Sequence, residues 1–118
     1  MVEIYEYTGE GYQPLVDYES WRVAILRYSN GNGFTGINNL ERHFETDEVF
    51  VLLNGEATLI TEETDGIQEW KMEYGKIYNV LKNVWHNIIV SPDANVLIVE
   101  NSDTGSQNTE RRSFIYGR

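Results

Sequence analysis

The chain carries only two histidines, and each sits where it could do chemistry. The first lies in "ERHFETDEVFVLLNG", residues 41 to 55, between glutamates and just ahead of a strongly apolar run. A solvated charged loop is one reading of that stretch, and a metal site is another. Side chains two apart share a face of an extended strand, so Glu41 and His43 point the same way if residues 40 to 44 are extended. From Glu48 the alternation places Glu48, Phe50 and Leu52 on one face, and Val49, Val51 and Leu53 on the other. A carboxylate at the head of an apolar face needs a partner, because burying it unpaired costs several kcal/mol. In "VWHNIIV", His86, Ile88 and Val90 repeat the pattern. Two strands thus each present a metal-type donor at one end of a hydrophobic wall.

The spacing of these residues resembles the cupins. Their first motif runs from a glycine through His-x-His and a glutamate to a second glycine. Here it is matched by Gly36, Glu41-Arg42-His43, Glu48 and Gly55, with Glu41 in place of the first histidine. The second motif is matched by Gly75, Leu81, Asn83 and His86, with Leu81 and Asn83 in place of proline and glycine. Asn is the non-glycine residue that best tolerates a left-handed turn. The resemblance covers about residues 36 to 100. It implies an all-β jelly-roll barrel (the double-stranded β-helix) formed by residues 1–118 as a single domain, and a divalent transition metal held by His43, Glu48 and His86.

Glu41 admits three readings. As a fourth ligand it completes a two-His, two-carboxylate set that suits Mn, Fe, Zn or Ni rather than Cu(I). As a non-ligand it leaves two histidines and one carboxylate with open positions, and is then placed as a catalytic general base. The third reading turns it outward to a surface ion pair that contributes little. If the strand registers hold, Phe50, Leu52, Tyr78 and Ile88 line a mainly apolar cleft for a small-molecule ligand or substrate, with Val90 beyond them. Trp85, on the opposite face from His86, reads as a sheet-packing or dimer-contact residue. Cupin resemblance implies activities as different as dioxygenase, isomerase and lyase, or non-catalytic small-ligand binding, and commonly a homodimer.

The elements that must position these residues are short β-type runs. "VEIYEY", "SWRVAILRYS", "IQEWKMEYGKIYNVL", "VWHNIIV", "VLIVEN" and a final "SFIY" read as strands, and "EVFVLLNGEATLITEE" as two strands joined in a hairpin by Asn54-Gly55. Pro14 and Pro92 read as loop residues, and no segment sustains a helical period. Residues 30 to 36 and 102 to 110 read as flexible loops near a pocket mouth.

Composition narrows the function classes. At 118 residues one core is expected, and 41% hydrophobic residues suffice to build it. Nine basic residues scattered among nineteen acids leave a net charge of −10, which argues against nucleic acid. The one basic doublet, Arg111-Arg112, reads as a solvated pair. No basic segment leads into an apolar run and no stretch approaches a membrane span, so no membrane partner is expected. With no cysteine, a cytoplasmic location is the expectation.

Overall fold

The computed structural model describes residues 1–33 and 36–116, so residues 34 and 35 of the expected 30–36 loop lie outside the described residues. Among the described residues, ten strands form two five-stranded sheets. The strands are β1 Gly11–Tyr18, β2 Trp21–Arg27, β3 Asn39–His43, β4 Glu48–Asn54 and β5 Ala57–Glu63. They continue as β6 Gly66–Lys71, β7 Tyr78–Val80, β8 His86–Val90, β9 Asn95–Asn101 and β10 Thr109–Ser113. One sheet runs β1-β2-β9-β4-β7 and the other β10-β3-β8-β5-β6, and every paired neighbour is antiparallel. Among the described residues, no helix is long and apolar enough to cross a membrane.

The core follows from alternation. Phe50 and Leu52 of β4, Ile88 and Val90 of β8, and Val96 and Ile98 of β9 are buried in one cluster between the sheets. The same period brings Glu48, His86 and Glu100 onto those buried faces. A smaller cluster of Ile37, Leu40 and Ile60 packs with Trp85 and Phe114. Trp85 is thus a packing residue of this chain, its ring flanked by the guanidinium carbons of Arg42 and Arg112 at 4.7 and 4.6 Å.

Four expectations are corrected. Both strands flanking Asn54-Gly55 form, but they belong to different sheets, so this is a corner and not a hairpin. Gly55 has φ +78°, and a Cβ there would lie 2.5 Å from the Ala94 Cα, so tight approach to the β8–β9 turn is what demands glycine. The two-residue hairpin lies instead at Thr64-Asp65, between β5 and β6. "VEIYEY" forms no strand, because it pairs with no strand among the described residues. The C-terminal strand is Thr109–Ser113, which starts four residues before "SFIY" and within the expected 102–110 loop. Pro14 lies inside β1, where an outermost strand and a bulge before Val16 leave its missing N–H without consequence.

Candidate metal centre

The β3 and β8 strands bring both histidines to one carboxylate. His43 Nε2 and His86 Nε2 each lie 3.0 Å from Glu48 Oε1, and all three side chains are buried. Glu41 is the register partner of His86, and its Oε1 lies 3.7 Å from His43 Nε2. The four residues expected to hold a metal are therefore gathered at one end of the barrel interior. Asn83, in the loop that delivers His86, has φ +71° and donates its N–H to the His43 carbonyl at 2.7 Å. The Asn-for-Gly exchange thus retains the turn and ties the two histidine segments together.

The second nitrogens fix the ring orientations. His86 Nδ1 lies 2.9 Å from the Val84 carbonyl oxygen, which can only accept, so that nitrogen carries the proton. In the neutral ring its Nε2 would turn a lone pair toward a carboxylate oxygen. Two acceptors at 3.0 Å require a cation between or upon them, either a second proton on the ring or a metal ion. His43 Nδ1 is held by the Thr109 hydroxyl at 2.8 Å. Burial would raise the Glu48 carboxyl, but hydrogen bonds from His43 and His86 and their charge outweigh it and hold it low, at about 2. Burial would lower the His86 imidazole, but Glu48 and the Val84 carbonyl raise it.

A further carboxylate faces the cluster. Glu100 of β9 is buried, and a carboxylate oxygen lies within 4.8 Å of ligand atoms of both His43 and Glu48. It accepts hydrogen bonds from Arg22 Nη2 at 2.6 Å and from the Tyr12 hydroxyl. Burial and the neighbouring Glu48 charge raise its carboxyl. Burial and the bond to Glu100 raise the Tyr12 phenol. Sequence reasoning missed this wall, although Val96, Ile98 and Glu100 repeat the apolar-face-plus-carboxylate pattern of Leu52, Phe50 and Glu48. It also missed Thr109 and Arg111. Arg111 Nη2 lies 3.1 Å from Glu41 Oε2, so this half of the doublet is part of the site rather than only solvated.

These residues line a cavity of about 370 Å³. Phe50 and Ile88 form its apolar side, as expected. Leu52 is packed in the core away from this cavity, and Tyr78 lines a separate groove, with its hydroxyl accepting from the Glu73 N–H at 2.9 Å. Donor set and burial fit a divalent first-row ion: two imidazole nitrogens with their far nitrogens engaged, and one to three carboxylates within reach.

No protein-family model and no curated protein matches the chain. Solved structures do match. A cupin-2 domain containing protein from Shewanella frigidimarina is 17% identical with a TM-score of 0.62, over 80% of this chain and 84% of that one. The Streptomyces nucleoside dehydratase Pac13 with uridine is 12% identical with a TM-score of 0.66, over 92% and 84%. KdgF from Halomonas is 10% identical with a TM-score of 0.62, over 81% of each chain. Bacillus subtilis oxalate decarboxylase also aligns, at 13% identity and a TM-score of 0.58, over 78% of this chain and 24% of that larger one. With two antiparallel sheets enclosing a His/Glu cluster, the chain has the jelly-roll fold of a small cupin domain.

Proposed function

We propose that this chain is a small metal-binding cupin acting on a small polar molecule, with His43, Glu48 and His86 as metal ligands and Glu41 as the fourth. The observation that carries this reading is His86, whose Nδ1 proton is committed to Val84 while its Nε2 faces the Glu48 carboxylate, a contact that needs a cation, either a second ring proton or a metal ion. A divalent ion held there would supply Lewis-acid polarisation of a substrate oxygen. Glu41, partly exposed at the cavity and steadied by Arg111, is the group placed to take a proton from substrate if it is not a ligand. Glu100, buried beside Glu48 and held by Arg22 and Tyr12, adds a further carboxylate facing the cluster. Phe50 and Ile88 keep water from one side of the bound molecule. The structural neighbours include a nucleoside dehydratase and an oxalate decarboxylase, which supports the lyase alternative.

Elemental analysis of the purified protein beside His86→Ala tests the proposal. Stoichiometric Mn, Fe, Ni or Zn in the parent, lost from a variant that still melts cooperatively, is the expected result. The absence of metal from both, even after reconstitution, would move the weight to a non-catalytic ligand-binding cupin.

A further inference from the structure

Two guanidiniums line the cavity, and they differ in what each has left to offer a ligand. Arg22 is engaged within the chain: Nη1 donates to the Ser102 carbonyl, and Nη2 to Glu100 at 2.6 Å and to the Thr104 carbonyl. Its side chain is 14% exposed, and it holds Glu100 and the loop after β9 in place. Arg111 makes one ion pair, Nη2 to Glu41 Oε2 at 3.1 Å, and its side chain is 58% exposed. A guanidinium carries five N–H donors in a planar fork, so most of those on Arg111 remain for another acceptor.

Strand β10 decides where that fork stands. Thr109 is the register partner of His43 and Arg111 that of Glu41. The Thr109 hydroxyl meets the His43 ring, so Arg111, two residues on, shares its face and lines the cavity at an exposed edge. Arg112 alternates to the other face and flanks Trp85. Glu41 looks both ways, with Oε2 toward Arg111 and Oε1 3.7 Å from His43 Nε2. The width of one carboxylate therefore separates the Arg111 fork from the cluster of His43, Glu48 and His86.

Charge sets the sign of the ligand. Arg22 and Glu100 compensate one another in their ion pair. Glu41 and Glu48 would together balance a divalent ion, which leaves the charge of Arg111 uncompensated beside it. Water solvates that charge while the cavity is open, but a ligand that covered it would have to replace the lost solvation. A neutral molecule could not do so fully, and a dianion would exceed it. A single carboxylate matches both the charge and the planar fork. Opposite the polar groups, Leu26, Phe50, Ile88 and Ile98 offer an apolar wall, and about 370 Å³ is at the small end of ligand cavities.

We propose that Arg111 binds the carboxylate of the substrate, and that the substrate is a small monocarboxylic acid with a hydroxyl or carbonyl oxygen one or two carbons away. That oxygen turns to the His43–Glu48–His86 cluster, because the two anchoring points are too close for a longer spacer. The carbon skeleton lies against Phe50 and Ile88. This inference rests on the metal-binding reading and narrows its substrate class.

The test is calorimetric binding of glycolate, lactate and pyruvate to the full chain loaded with Mn or Zn, beside glycolamide, lactamide and inorganic phosphate, with metal content measured on the same samples. The acids are expected to bind, and the neutral amides to bind at least about tenfold more weakly. Arg111→Gln should lose at least about tenfold for the acids and leave the amides unchanged, while Arg111→Lys, which keeps the charge without the fork, should recover part of the loss. Metal held by parent and variant alike, with acids that do not bind or that bind Arg111→Gln equally well, would overturn the proposal and leave the metal centre standing. Phosphate bound more tightly than every acid would overturn the carboxylate assignment. No metal in either protein would overturn the metal reading and this inference with it.

Discussion

Glu48 holds the centre of the site because two imidazoles share one of its oxygens. In chelator-treated protein this arrangement makes stability depend on pH from both sides. The depressed Glu48 carboxyl contributes stability that is present above its ordinary value of 4.5 and lost as pH falls toward about 2. The raised His86 imidazole contributes stability that is present below its ordinary 6.5 and lost as pH rises through its folded value. Melting temperature without metal should therefore peak between those two ordinary values, and Glu48→Gln should flatten the profile. A peak well above neutrality would contradict the ion-pair reading. Thr109 acts one bond further out, by fixing the His43 ring. Thr109→Val should weaken metal binding about 10–100-fold, the usual cost of losing a partner of a ligating histidine, with the fold retained. Equal affinity in a competition titration would remove Thr109 from the site. Glu48 and His86 were legible in the sequence because each stands at the head of an alternating apolar face, and His43 was legible through its spacing to Glu48 and Gly55. Thr109 and Arg111 were not, because they reach the cavity only through the pairing of β10 with β3, a contact between segments more than sixty residues apart.

At the scale of elements, the corner at Gly55 decides whether β4 and β5 enter opposite sheets. Gly55→Ala places a side chain at φ +78° and 2.5 Å from Ala94 Cα. The left-handed conformation alone costs about 1–3 kcal/mol, before the contact with Ala94 is relieved. Denaturant melts should show a loss at least that large, and a loss below it would mean the corner relaxes easily. The same corner marks where sequence reading ran out. Asn-Gly between two apolar runs signals a tight turn, but whether the next strand pairs with the last or crosses to the facing sheet depends on distant partners. β4 finds β7 and β9, while β5 finds β6 and β8. Strand existence followed from local alternation in β4 and β8, from a run apolar on both faces in β2, and from a short apolar run in β9. The edge strands β1 and β10 carry weaker alternation and more polar residues, since one side of each has no neighbour, and so both escaped notice.

At the scale of the whole molecule, ten units of excess negative charge repel one another. Added monovalent salt should raise the melting temperature of the metal-free protein by screening that repulsion. A fall would show that the internal pairs, such as Arg22 with Glu100, outweigh the net charge. The fold gathers its acids unevenly, with Glu41, Glu48 and Glu100 inside one cavity that Arg22, Arg111 and the two histidines share. A divalent cation would complete that balance. The most direct test is titration of Mn, Ni or Zn into chelator-stripped protein below neutral pH, with proton release followed in parallel. One tight site per chain that releases protons and is lost in Glu48→Gln is the predicted result. A protein that binds none of these ions, with no heat and no change in melting temperature, would contradict the metal centre.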